Sequence, residues 1–314
     1  MILSASRRTD IPSYYSDWFY NRIKEGFVYV RNPMNTHQVS KIIINPDVVD
    51  CIVFWTKNPA PMLERLEELK QYHYYFQFTL NSYGKDIEEN VPSKANQVIE
   101  TFQRLSDKIG REKVIWRYDP ILLNEKYSVD YHINYFEKLA SKIHEYTEKC
   151  TISFIDLYRN TKNNVKNLNL QFMELEDKRN MALKLVEIAK KYNLRMDTCA
   201  EDIELIDLNI DHARCIDEKL IEKIINCKIN VEKDKNQRLE CGCVASIDIG
   251  MYNTCMNGCK YCYANYSIKT VNQKFKDHNV NSPLICGELT KQDIVKNREV
   301  KSFKEGQSDL FNLK

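Results

Sequence analysis

"KVIWRYDP", residues 113–120, reads as a buried strand that ends in charge. Val114, Ile115 and Trp116 form a short apolar run of β-branched and aromatic side chains, the composition of a strand enclosed on both faces. Arg117 and Asp119, two residues apart at its carboxyl end, share one face of that strand. The pattern recurs in "MILSAS" (1–6), "CIVFWT" (51–56), "YYFQFTL" (74–80), "CTISFIDLY" (150–158) and "LRMDTC" (194–199), which run on into "SRRTD", "TKNP", "NSYGKD", "DLYRN" and "AED". One polar ending means little, but six of them predict a shared rim.

Between the runs lie stretches of helical period. Met62, Leu66 and Leu69 mark one stripe, and Val98, Phe102, Leu105 and Ile109 a second. Ile133, Phe136, Leu139, Ala140 and Ile143 form a third, and Met181, Leu185, Ile188 and Ala189 a fourth. Stripes spaced i, i+3 and i+4 pack on a sheet. Repeated strand–helix alternation implies a parallel α/β sheet, and the polar rim favours a complete or partial (β/α) barrel, TIM-like, with its site in the loops after the strands. The chain has eight glycines, none adjacent, and carries neither G-x-G-x-x-G nor a P-loop, which argues against an open nucleotide-binding sheet. "FVYVRNP" (27–33) is expected as a further strand in a hairpin or excursion. Gln77 and Thr79, polar at i, i+2 in an apolar strand, are expected to line the interior near the site, since buried polar groups need partners.

A hydrophobic share of 43%, a charged share of 29% and a net charge of +2 describe a globular chain with no evident duplex-binding surface. No apolar run reaches the roughly 18–20 residues of a membrane span, and "MILSASRRTDIP" lacks a secretory pattern. A cytoplasmic location follows as the expectation. Residues 1–229 read as the barrel body. Residues 230–314 add a charged linker, "NVEKDKNQRLE" (230–240), then a cysteine-rich segment and a polar C-terminal stretch, packed on the same body.

Five of the eleven cysteines fall between Cys241 and Cys262. In a reducing compartment such clustering points to metal rather than disulfides. Cys51, Cys150, Cys199, Cys215, Cys227 and Cys286 read as small buried hydrophobes. Zinc would take four ligands, and the pair Cys259 and Cys262 with Cys241 and Cys243 supplies that number. Iron and sulfur fit differently: Cys255, Cys259 and Cys262, spaced C-x3-C-x2-C, can hold three irons of a cubane and leave the fourth open.

The segment "TCMNGCKYCYAN", with Tyr261 directly before the last cysteine, resembles the cluster loop of radical SAM enzymes, and its Cys-Tyr ending is similar to that of the spore photoproduct lyase branch. Across nearly its whole length the chain also resembles a bacterial family, the domain of unknown function 1848, through "SASRRTDIP", "FWTKNPAPM", "WRYDPIL", "ISFIDLY", "KDKNQRLECGC" and "SIDIGMYNTC". The first resemblance implies a radical SAM-like barrel with a [4Fe-4S] cluster on Cys255, Cys259 and Cys262. It also implies S-adenosylmethionine bound at the open iron and cleaved by one electron to a 5′-deoxyadenosyl radical, with a donor such as flavodoxin or ferredoxin. Two departures stand out. The loop comes some 250 residues late, so "VASIDIGMY" (244–252) is expected as the strand that feeds it, and the usual Gly-Gly-Glu stretch is missing.

Such an enzyme must orient its co-substrate, exclude water and place a substrate C–H bond. Arg117, Asp119 and Glu201 are the expected catalytic or cofactor-contacting residues, Arg117 for a carboxylate or phosphate and Glu201 for a ribose hydroxyl or the methionine ammonium. Arg7, Arg8, Asp10, Lys57 and Asn58 are expected to bind an anionic part of a small-molecule substrate, with nucleic acid the less favoured partner. Cys241 and Cys243 are possible further metal ligands, and His212 reads as a surface histidine. Two other functions fit the residues: a non-enzymatic protein with structural zinc or a fully ligated cluster, and a barrel hydrolase or lyase working from the charged rim.

Overall fold

All six apolar runs become strands of one parallel sheet. The computed structural model describes residues 1–157 and 159–305; Tyr158, in the fifth run, and residues 306–314 lie outside the described residues. The strands are β1 (Ile2–Ala5), β2 (Phe27–Arg31), β3 (Gln38–Ile43), β4 (Cys51–Thr56), β5 (Tyr74–Thr79), β6 (Val114–Ile121), β7 (Lys149–Phe154), β8 (Arg195–Thr198), β9 (Ile210–His212), β10 (Ile247–Asp248) and β11 (Ile294–Asn297). Eight of them form the main sheet in the order β10-β1-β4-β5-β6-β7-β8-β9, and every neighbouring pair is parallel. β2 and β3 make the expected hairpin, and β11 extends it beside β3.

From β1 to β9 the order in space follows the order in sequence. There is no reversal of the kind that creates the switch point of a doubly wound sheet. Alternate residues face opposite ways. Leu3, Phe54, Phe76, Trp116 and Ile152 point to one face and form the main core. The helical stripes pack there, from the 3₁₀ segment Ala60–Leu69 and the helices Ile99–Ile109, Val129–Ile143 and Leu175–Lys191. Trp116 stacks on Phe136 with ring centres 4.8 Å apart.

Ile2, Val53, Tyr75 and Ile115 point to the other face. They meet Ile216, Ile221 and Ile225, the last two on helix Glu218–Ile225, together with Cys241, Cys243 and Val244. Core residues from both sides of position 230 therefore pack as one cluster. The charged stretch 230–240 pairs with the segment that follows it: the Asp234 amide donates to the Cys243 carbonyl at 2.9 Å and the Ala245 amide to the Glu232 carbonyl at 2.8 Å. No helix among the described residues is long and apolar enough to cross a membrane.

His132, on helix Val129–Ile143, is buried between the Tyr118 hydroxyl, 2.7 Å from Nδ1, and the Leu122 carbonyl, 2.9 Å from Nε2. Burial pushes its imidazole down to about 4, whereas an unfolded chain takes that proton near 6.5. The native state is favoured fully above pH 6.5 and progressively less as pH falls toward 4. Wild type should lose about 2 kcal/mol between pH 7 and pH 5 through this one group. Urea unfolding at the two pH values should show that loss, and His132→Gln should lack it.

Candidate metal centre

β10 brings the cysteine loop to the sheet. It pairs with β1, Leu3 opposite Ile247 and Ser4 opposite Asp248, and takes the place beside the first strand although it comes last of the eight. The feeding strand expected within 244–252 is thus present, shortened to two residues. Asp248 fixes the junction. Its carboxylate accepts from Ser4 Oγ (2.8 Å), Ser6 Oγ (2.7 Å), the amides of Arg7 (2.8 Å) and Gly250 (2.9 Å), and Arg8 Nε and Nη2 (3.1 and 3.0 Å). Burial raises the carboxyl's pKa, but Arg8 and these donors hold it below its ordinary value. Gly250 follows because nothing larger fits: a Cβ there would lie 2.0 Å from Ser6 Oγ.

The loop then crosses the carboxyl edge over β1, β4 and β5. The Thr254 carbonyl accepts from Tyr15 Oη at 2.6 Å, and Thr254 Oγ1 lies 2.7 Å from Thr9 Oγ1. Asn257 reaches the buried Asp10, donating from Nδ2 to Oδ2 at 2.9 Å, while Asp10 also accepts from Thr56 Oγ1 (2.7 Å) and the Lys57 amide (2.8 Å). On the far side the Asn90 amide donates to the Asn257 carbonyl and the Lys260 amide to the Ile87 carbonyl. Gly258 turns the chain between these anchors at φ +66°, where a side chain would be strained.

Cys255, Cys259 and Cys262 are half-buried free thiols on this loop. Each has a donor or a cation beside it. Asn257 Nδ2 lies 3.5 Å from Cys255 Sγ, the amides of Ala264 and Asn265 face Cys262, and the Lys57 ammonium interacts with Cys259. Burial raises all three thiol pKa values, Cys255 to about 12, while the hydrogen bonds and Lys57 act the other way. Hydrogen bonds to sulfur and nearby charge tune cluster-bound thiolates, and three closely spaced cysteines in such surroundings are a donor set that suits an iron–sulfur cluster. Among the described residues no group of three or more Cys, His, Asp and Glu side chains is disposed to hold a single metal ion.

Lys57, half-buried just past the end of β4, donates to Glu88 Oε1 at 2.8 Å and to Tyr261 Oη at 2.7 Å. Tyr261 Oη in turn donates to Glu88 through a very short bond and accepts from Asn81 Nδ2 at 3.1 Å. Lys94 Nζ holds the other Glu88 oxygen at 2.6 Å. Burial pushes the Glu88 carboxyl up, yet the two lysines hold it down at about 2. The aromatic before the last cysteine is therefore clamped by an ion-pair network.

The other expected rim residues divide between this site and a second one. Asp10 and Lys57 lie against the loop, whereas Asn58 bonds within its own turn and to the first helix, its amide donating to Thr56 Oγ1 at 3.1 Å and its carbonyl accepting from Ser13 Oγ at 2.8 Å. Arg8 is bound to Asp248 and stacks over Tyr252. Arg117 is buried. It donates to Asp119, to Gln77 Oε1 (3.2 Å) and, from Nη1, to Cys215 Sγ at 2.8 Å. Glu201 accepts from the Phe154 amide at 2.7 Å and from Lys178 Nζ at 3.3 Å, tying the end of β7 to the turn after β8. Arg7 lies over the Trp55 ring at 5.1 Å.

Cys241 and Cys243 lie with Cys215 and Cys199, not with the loop cysteines. Cys199 Sγ and Cys215 Sγ are 3.2 Å apart, Cys243 is hydrogen-bonded with Cys215, and Cys241 with Cys243, an interaction that draws the Cys241 thiol down to about 7 against burial. Sequence reasoning did not find Glu88, Asp248, Asn257, Cys199 or Cys215. Only Asp248 and Asn257 carried a signal, by lying within or just before the loop.

The model of the family described as Domain of unknown function (DUF1848) matches residues 2–264. No curated protein matches the chain.

Proposed function

Since the chain belongs to the DUF1848 family, whose description assigns no chemistry, its function has to come from the site, and we propose that it is a radical SAM-type iron–sulfur enzyme. The observation that carries this reading is the loop of three free cysteines on the carboxyl edge of a parallel sheet, each sulfur with a donor or cation beside it. The unreversed strand order supports a partial barrel, whose loops share one rim. The Cys-Tyr ending, Cys262 and Tyr263, supports kinship with the spore photoproduct lyase branch.

Cys255, Cys259 and Cys262 would hold a [4Fe-4S] cluster. When bound, that group supplies an open iron for S-adenosylmethionine and the electron for its one-electron cleavage. Lys57 places a cation beside Cys259 and offsets thiolate charge. Glu88 and Lys94 keep Tyr261 fixed under the loop, which holds the loop's shape while a ligand enters. Asp10 and Asn257 hold the loop's first turn. A small-molecule substrate and a flavodoxin- or ferredoxin-type donor complete the proposal, in a cytoplasmic setting.

The test is EPR of anaerobically reconstituted, dithionite-reduced protein with and without S-adenosylmethionine. A cluster signal that shifts on adding it is the expected result. A signal indifferent to it would return the loop to a structural role.

A further inference from the structure

Four thiols from three parts of the chain touch one another on the sheet face opposite the main helical core. Cys199 follows β8, Cys215 precedes helix Glu218–Ile225, and Cys241 and Cys243 flank Gly242. Cys199 Sγ lies 3.2 Å from Cys215 Sγ. Cys215 is hydrogen-bonded with Cys243, and Cys243 with Cys241. All four are free. Sulfurs in contact are placed for exchange, because a thiolate forms a disulfide by direct attack on a neighbouring sulfur.

The surroundings suit reactive thiols. An inert buried cysteine packs as a small hydrophobe and needs no donor. Here Arg117 Nη1 donates to Cys215 Sγ at 2.8 Å, and the Ile216 amide to Cys243 Sγ at 3.4 Å. Asp119 takes Nε and Nη2 of Arg117, which leaves Nη1 to face the sulfur. The Cys215 carbonyl accepts from Tyr75 Oη (2.7 Å) and Gln77 Nε2 (2.9 Å), so the middle of the chain is held in place. At one end Cys241 directly follows the exposed residues 238–240, and at the other Cys199 is half-buried. The hydrogen bond from Cys243 draws the Cys241 thiol down to about 7, and a thiol attacks a disulfide best when its pKa lies near the ambient pH.

We propose that Cys241, Cys243, Cys215 and Cys199 form a thiol–disulfide exchange relay whose substrate is a low-molecular-weight disulfide. The Cys241 thiolate attacks one sulfur of the small disulfide, and the other leaves as a thiolate that takes up a proton. Cys243 then attacks Cys241 and displaces the second small thiol. Two protein thiols are thereby oxidised by two electrons, and one disulfide is reduced to two thiols. Cys215 next attacks Cys243, freeing Cys241, and Cys199 attacks Cys215, freeing Cys243. Each leaving sulfur takes the proton that its attacker gave up. A disulfide across the single residue Gly242 closes a short, constrained ring and is the more easily reduced, so it passes on to Cys215 and Cys199. The relay uses none of the loop cysteines and does not rest on the preceding reading.

The test exposes the reduced, desalted full-length chain to glutathione disulfide under argon, before and after reconstitution with iron and sulfide. Alkylation and peptide mass spectrometry then map the linkages. The expected product in both preparations is a linked Cys199–Cys215 peptide, with two glutathione molecules released per chain. It should form at least about tenfold faster than any adduct at Cys227, whose sulfur faces the Lys228 and Glu305 carbonyls. In Cys243→Ser protein the resolving sulfur is gone, so Cys241 should accumulate as its glutathione mixed disulfide while Cys199 and Cys215 stay reduced. Should that variant fail to fold, the wild-type map decides alone. A wild-type chain without the Cys199–Cys215 linkage, or adducts formed as fast at Cys227 as at the four thiols, would overturn the proposal. So would four thiols that become shielded once iron is loaded, or a folded Cys243→Ser protein that still links Cys199 to Cys215 at the wild-type rate.

Discussion

Asp248→Ala is expected to destabilise the chain by about 2–4 kcal/mol, because a half-buried ion pair and several hydrogen bonds lose the one acceptor they share. The carboxylate accepts six hydrogen bonds, from two serines, two backbone amides and both reachable nitrogens of Arg8. Alanine would leave Arg8 without its anion and several donors without an acceptor, each costing about 1–3 kcal/mol when buried. Asp248→Asn keeps an acceptor and should cost less. Denaturant midpoints with unchanged slopes would measure both. The alanine variant should also lose iron from the loop, because β10 is what presents the loop to the rim. An Asp248→Ala protein within 0.5 kcal/mol of wild type, on the scale of an ordinary surface change, would show that β10 does not need its anchor.

The second large effect is expected at Glu88. Glu88→Gln strands Lys57 and Lys94, two half-buried cations that share that one buried carboxylate, and should cost about 2–4 kcal/mol at neutral pH. The pH dependence has a definite sign. In the folded chain the carboxyl sits at about 2 against an ordinary 4.5. The network is therefore fully stabilising above pH 4.5, and wild type loses that stability, about 3 kcal/mol, as pH falls toward 2. The glutamine variant has no such acid limb. This window lies below the one assigned to His132, so single variants separate the two. Tyr261 should also come loose in Glu88→Gln, seen as faster loss of iron from the reconstituted loop.

Much of the frame was legible. Six apolar runs became β1 and β4 to β8 because each is short, β-branched and closed by polar residues, and the helical stripes bury the side chains that their spacing selects. β3, β9 and β11 were missed: "QVSKII", "IDH" and "IVKN" are short or mostly polar, and pairing partners rather than composition make them strands. Glu88 sits in "KDIEEN", a charged run that reads as a solvated surface, and only the fold turns it under Tyr261. Cys199 and Cys215 read as small core residues, since sequence distance hides a contact made by the turn after β8 and the approach to helix Glu218–Ile225. Arg117 and Asp119 were placed correctly on one strand face. What could not be read was that this face opens on the four-cysteine chain.

The place of β10 beside β1 has a consequence for how the protein is made. Ser4 and Asp248 touch although 244 residues separate them. At about 5–20 residues per second on the ribosome, β1 waits roughly 12–50 s for the strand that will cover its edge. During that interval β1 is an unprotected edge open to a wrong partner. Residues 1–229 meanwhile have time to settle, so the cysteine loop arrives at a rim that already exists. Maturation should therefore be a late, post-translational docking event, and a chain stopped before residue 247 should be soluble only when something else occupies the side of β1.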